Sequence, residues 1–212
     1  NHRWPLARKG LRPTQISGSR LTYDYEEENL FPGGNEFRPL DLRNLRTPGR
    51  GTAGSRLDSL FFIATNADEA RERYSFIQDN NGFSLIVNRQ NLDPSTEADY
   101  ALVEFVLKDH PAIPSQADVY VQGGFNHWSY HDTARMNFDP KTRRFRKRLL
   151  LKQGYHDYQY SLRMPDGRLL PNRISGNFAD TENTYEILVY VRSRTLNTFL
   201  LYGYQRLSSE GF

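Results

Sequence analysis

The sequence predicts an all-β protein made of two consecutive antiparallel β-sandwich domains. Three observations predict it. Short segments of alternating apolar and polar residues recur, as at Leu21, Tyr23 and Tyr25 and again at Leu102 to Val106. Gly, Pro and Asn punctuate them at short spacing. Aromatics reach 13% of the chain, with 13 Tyr and 13 Phe, against a hydrophobic fraction of 37%. That balance suits thin sandwiches in which half of each strand faces water. No convincing amphipathic helix competes, although residues 66–73 could form a helical turn or two.

Taken in order, residues 1–19 are rich in Arg, Pro, Gly and Ser and read as an irregular lead-in. Residues 20–27 alternate and form a strand, followed by the turn Pro32-Gly33-Gly34-Asn35. A second strand is expected at 36–43, then a flexible loop over 47–54. Leu57, Leu60, Phe61, Phe62 and Ile63 mark a buried strand at 57–65. Residues 73–78 and 83–88 flank Asp79-Asn80-Asn81-Gly82. Asn-Gly supplies the positive φ angles of a tight turn, so the two flanks are expected to pair as a hairpin. Residues 89–98, with Asp93-Pro94-Ser95-Thr96, read as a linker. The first sandwich then spans 20–92 and the second 98–212. Strands at 100–107 and 119–122 open the second. A hairpin of 145–151 and 158–162 turns around Gly154, and strands at 185–191 and 199–204 close the domain.

Composition excludes several chemistries. The chain has 28 basic and 25 acidic residues, a formal net charge of +3, and no Cys. It therefore has no thiol nucleophile, disulfide frame or thiolate metal site. The mild basic excess lacks the sharp stripe of a nucleic-acid binder. No apolar run approaches the ~20 residues that span a bilayer as a helix. The chain opens at Asn1-His2-Arg3-Trp4 and reads as a piece of a longer protein, its leader lying outside.

Four sets of residues could carry function. Phe125, Asn126 and Trp128, in Gly123-Gly124-Phe125-Asn126-His127-Trp128, and Tyr158 downstream could stack on a sugar and bond its hydroxyls. The second Trp of such a platform is absent after Tyr158, so the alternative is that Phe125 and Trp128 pack the end of a sandwich. Arg144, Arg146 and Arg148 share one strand face and, with Arg50 in the loop over 47–54, form a candidate docking surface for an acidic partner. Its alternative is a solvated edge guarded against aggregation. Glu36 and Asp41 could form a carboxylate pair for glycoside hydrolysis, but a regular strand points them to opposite faces, and ion pairing with Arg38 and Arg43 is favoured. His127 and His131 sit on a loop without metal-ligand geometry, and His156 reads as a surface strand residue. No nucleophile elbow, phosphate loop or dinucleotide fingerprint is present. The expectation is no catalysis, no cofactor and no metal.

Two resemblances extend this reading. The aromatic loop and the Gly154 turn resemble the early-set immunoglobulin-like sandwich of glycogen-binding modules, over about 90 residues of the second half. A longer resemblance covers nearly the whole chain. Asn29-Leu30-Phe31-Pro32-Gly33-Gly34-Asn35-Glu36-Phe37-Arg38, Leu151 to Tyr160, and Thr181 to Tyr190 look like three segments, in the same order, of the type IX secretion system plug protein family. With the strand pattern, the expected fold is two consecutive antiparallel immunoglobulin-like sandwiches; the longer resemblance implies a non-catalytic periplasmic interaction subunit of the Bacteroidota. Such a subunit closes the periplasmic mouth of an outer-membrane translocon β-barrel. It also implies that this chain is the family's C-terminal portion. The alternative it leaves open is a carbohydrate-binding module using Trp128.

Overall fold

A computed structural model describes residues 7–27, 29–47, 49–88, 93 and 97–209. The chain divides into two units, 1–32 and 33–212. Within the first, β1 (Gln15–Ser17) and β2 (Arg20–Thr22) pair antiparallel across Gly18. The expected lead-in thus contains a strand, and the strand expected at 20–27 stops at Thr22. Both strands are largely exposed, and Tyr25 donates its hydroxyl to the Arg12 carbonyl.

The second unit contains two five-stranded sheets. One has the order β4 (Thr52–Leu57), β5 (Phe61–Asp68), β7 (Tyr100–Lys108), β10 (Arg144–Lys152), β9 (Asn137–Asp139). The other is organised on β11 (Gly154–Arg163). Its first half is flanked by β3 (Arg38–Asp41) and β6 (Ser84–Ile86), its second by β8 (Asp118–Gly123) and β12 (Leu169–Leu170). The sheets bury a common core. Ala101, Val103, Phe105 and Leu107 of β7 alternate inward and meet Leu40 of β3, Val119 and Val121 of β8, and Tyr158, Tyr160 and Leu162 of β11.

Three expectations change here. Strands on both sides of residues 89–98 enter both sheets, so the divide expected there gives way to one shared core. The join includes a parallel ladder, β5 on β7, in an otherwise antiparallel pattern. Most of 89–98 lies outside the described residues, and linker-like composition does not by itself separate domains. The second change concerns Gly154. β10 and β11 lie in different sheets, so the residues around Gly154 cross between layers instead of closing a hairpin. A Cβ at Gly154 would lie 2.2 Å from the Leu85 carbonyl oxygen, so the crossing requires glycine. The third concerns Asn81-Gly82. Both residues take the expected positive φ, 51° and 78°. Residues 73–78, however, form no strand, and β6 pairs with β11. The turn chemistry was local; the pairing was not.

Beyond the two sheets lies a separate two-stranded sheet, β13 (Asn183–Ser193) with β14 (Thr198–Ser209). These strands were expected to close the second domain. They instead form a long hairpin with side chains exposed on both faces. Its root is held by Asn183, which donates its side-chain amide to the Gly33 carbonyl at 2.8 Å.

Candidate functional site

The densest buried chemistry lies where β3, β5 and β11 meet. Asp68, the last residue of β5, accepts the hydroxyls of Tyr158 and Tyr160 on one oxygen, at 2.7 and 2.8 Å. Its other oxygen accepts Arg38 Nη1 at 3.0 Å. Arg38 also donates to the Glu69 carbonyl, and its guanidinium lies 5.5 Å from the Tyr160 ring centre. Burial pushes both tyrosines well above their ordinary pKa, with the Asp68 charge adding to it. They stay protonated donors. Arg71 donates to the Glu36 carbonyl, and its pKa is lowered to about 10, mainly by burial and then by the neighbouring Arg38. Glu36 accepts the Tyr74 hydroxyl at 2.8 Å, while burial raises its own pKa. Every group has a hydrogen-bonding task here. The cluster fastens three strands and leaves neither an activated nucleophile nor a free base.

Glu36 and Asp41 do not act together. Glu36 belongs to the cluster above, and Asp41 holds Arg43 through two hydrogen bonds of 2.9 and 2.8 Å. Of the ion pairing foreseen among these four residues, Asp41–Arg43 is present, whereas Arg38 pairs with Asp68 instead of Glu36 or Asp41.

The aromatic loop is fixed by packing. Gly124–Asn126 form a 3-10 turn after β8. Phe125 packs on Phe105 and His156, at ring distances of 5.7 and 6.0 Å. The Asn126 side chain accepts the Gly123 N–H and donates to the Val121 carbonyl, so it braces its own turn. Trp128, half-buried and at φ 57°, lies 4.7 Å from the Phe37 ring. Tyr158 is 1% exposed and cannot stack on an external sugar. The four residues Phe125, Asn126, Trp128 and Tyr158 therefore present no common platform.

Next to this loop sits a buried acid. Asp157 is fully buried and accepts the N–H groups of Asn80 and Gly82 at 2.6 and 2.9 Å. It caps the Asn-Gly turn from below. Burial, with the nearby Asp79 charge, lifts its pKa to about 6 against those two hydrogen bonds. His156, expected at the surface, is 1% exposed; burial lowers its pKa, and Nε2 bonds the Lys152 carbonyl at 2.8 Å. Neither Asp68 nor Asp157 was singled out in the sequence. Asp68 fell just beyond the strand expected at 57–65 and Asp157 just before the one expected at 158–162, so neither stood out as buried.

The basic strand is partly neutralised. Glu104 of β7 accepts Arg146 at 2.9 Å and Arg148 at 2.8 Å. Arg148 also lies over the Phe62 ring at 5.4 Å. Arg144 stands opposite Lys108 and Asp139, and Arg50 is exposed in the turn before β4. The arginines do share a face, as expected, but two of them have a common counter-charge. Among the described residues, no group of His, Asp or Glu is arranged to hold a metal. Nor, among those residues, is any helix long and apolar enough to cross a membrane.

An all-β sandwich with structural polar clusters and an exposed hairpin is the class these features define. No protein-family model matches the chain, and no curated protein is similar to it. Among solved structures, a hypothetical protein from Parabacteroides merdae is similar, with a TM-score of 0.84 and 28% identity over 94% of this chain. The chain spans about half of that protein, 51% of its length.

Proposed function

We propose that this chain is a non-catalytic periplasmic interaction subunit of a protein secretion apparatus, closing the periplasmic mouth of an outer-membrane translocon barrel. The observation that carries the reading is the spatial convergence of the three segments behind the plug-family resemblance. Arg38 of the first segment pairs with Tyr158 of the second in the β3–β11 ladder. Thr181, opening the third, donates to the carbonyl of Gly34 in the first at 2.9 Å. Three segments distant in sequence thus make one connected piece of framework. The Parabacteroides origin of the similar structure fits the Bacteroidota setting that the resemblance implies.

On this reading the partner is met through polar, reversible contacts, because a plug must leave when cargo arrives. Arg144, Arg148 and Arg50 are the candidates: Arg146 and Arg148 both hold Glu104, and of the two Arg146 has the less exposed side chain. Affinity purification of the full-length protein from its own envelope should recover an outer-membrane barrel. Recovery of no barrel from intact envelopes would overturn the proposal. Replacing Arg144, Arg148 and Arg50 by Ser should slow association and flatten its salt dependence. The carbohydrate-binding alternative has no observation in its favour, given the buried Tyr158 and the occupied Asn126.

A further inference from the structure

The β13–β14 hairpin is the least satisfied part of the molecule. Ile187, Val189, Tyr190 and Val191 of β13 are 45–54% exposed, and Phe199, Leu200, Leu201 and Tyr202 of β14 are 47–81% exposed. Continuous apolar runs of this kind belong to strands covered on both faces. A two-stranded hairpin alone is marginally stable in water, and three or four strands are the usual minimum. The hairpin's exposed apolar surface, roughly 1,000 Å² in all, is divided between two faces of about 500 Å² each, the size of the largest patch of a typical monomer, which is often functional.

The two edges of the hairpin differ. β14 carries Gly203 and an extra residue, Tyr202, where the register shifts between Val189 and Tyr190. A bulge and a glycine discourage edge pairing. β13 runs through 11 residues with neither Gly nor Pro, and among the described residues it pairs only with β14. Its sequence is also complementary to itself. If two copies of β13 run antiparallel about a two-fold axis at Val189, Glu186 of each lies opposite Arg192 of the other. Ile187 then meets Val191, Leu188 meets Tyr190, and Val189 meets itself. Cross-strand opposite charges and apolar pairs both favour such a ladder. Glu186 already faces Arg206 across the hairpin and accepts the Tyr204 hydroxyl; the neighbouring register, centred on Leu188, sets it against Tyr190 and Arg192 against Thr184, so no charge pair forms between the copies.

We infer that β13 is a self-association edge: two copies of this chain pair β13 to β13 about Val189 and join their hairpins into a four-stranded sheet. The interface is isologous, as two-fold symmetry requires. It goes beyond the plug reading and does not depend on it.

The test uses charge exchange and a single thiol. Sedimentation velocity across about 1–100 µM protein should show a reversible dimer. Glu186→Arg and Arg192→Glu should each weaken it at least tenfold, by setting like charges opposite one another. The double variant should restore it. Because the chain has no Cys, Val189→Cys adds a lone thiol on the axis, which should cross-link to its copy under mild oxidation. Leu201→Cys, at a somewhat more exposed position on β14, should not. A monomer throughout the range overturns the inference. So does a dimer indifferent to both charge reversals, or equal cross-linking at both positions. A monomer that instead floats with phosphatidylglycerol vesicles overturns it in favour of a lipid surface.

Discussion

Two tyrosine-bearing strands of similar length invert the ordinary relation between polarity and burial. β11 reads Gly-Tyr-His-Asp-Tyr-Gln-Tyr-Ser-Leu-Arg and is almost wholly buried; His156, Asp157, Gln159 and Ser161 are at most 5% exposed. β13 reads Asn-Thr-Tyr-Glu-Ile-Leu-Val-Tyr-Val-Arg-Ser and is mostly exposed. The more polar strand is inside and the more apolar one outside. β11 has four flanking strands and a layer to pack on, so its polar groups find partners such as Asp68, the Lys152 carbonyl and the Asn80–Gly82 turn. Among the described residues, β13 has one flanking strand. Burial follows from how many edges and faces are covered. An apolar strand left outside points to an occupant, which we propose to be a second copy of this chain.

The largest expected effect tests the buried side of that contrast. Asp68→Ala removes the acceptor of two buried tyrosines and the counter-charge of Arg38. Breaking a buried pair in this way should cost about 4 kcal/mol, read as a lower urea midpoint. A loss below about 1 kcal/mol would mean that β11 is held by apolar packing alone.

Asp157 comes next. Its pKa is raised to about 6 in the fold, so the fold favours the neutral acid. The stability it contributes is fully present below the ordinary carboxylate value of about 4 and is lost as pH rises through 6. The full span is worth up to about 3 kcal/mol. His156, lowered by burial, acts in the opposite sense, losing stability as pH falls. The clean measurement is therefore wild type against Asp157→Asn, which keeps His156. Urea midpoints from pH 4 to 7 should show the variant gaining on wild type as pH rises. Parallel profiles would remove Asp157 as the source.

Trp128→Ala should cost about 2 kcal/mol, below the 3–5 kcal/mol of a fully buried aromatic, because the ring over Phe37 is only partly buried. Thermal unfolding measures it, and maltoheptaose titration of the wild type should show no binding. Replacing Arg146 and Arg148 by Ser strands Glu104 and should cost about 1 kcal/mol, which Glu104→Gln should recover. The smallest effect belongs to the hairpin. Leu201→Ser should shift stability by no more than about 0.5 kcal/mol, since an exposed side chain has little packing to lose. A loss of 2 kcal/mol there would show that β14 is covered in solution.

The sequence by itself determined the all-β class, the period-two alternation of the strands, and the local turn chemistry. The Asn81-Gly82 turn has its positive φ angles, and strands formed within a few residues of those expected at 100–107, 119–122 and 145–151. These depend on sterics and periodicity within a few residues. Packing roles for Phe125 and Trp128 were also legible as one of two readings. Tertiary structure alone decided which strand met which. It joined β5 to β7 in parallel, carried the chain between sheets at Gly154, and drew residues from both sides of 89–98 into one core. It also buried His156 and Asp157 and exposed β13 and β14. The physical reason is that a strand's propensity is local, whereas its partners and its burial are set by contacts between residues far apart in sequence.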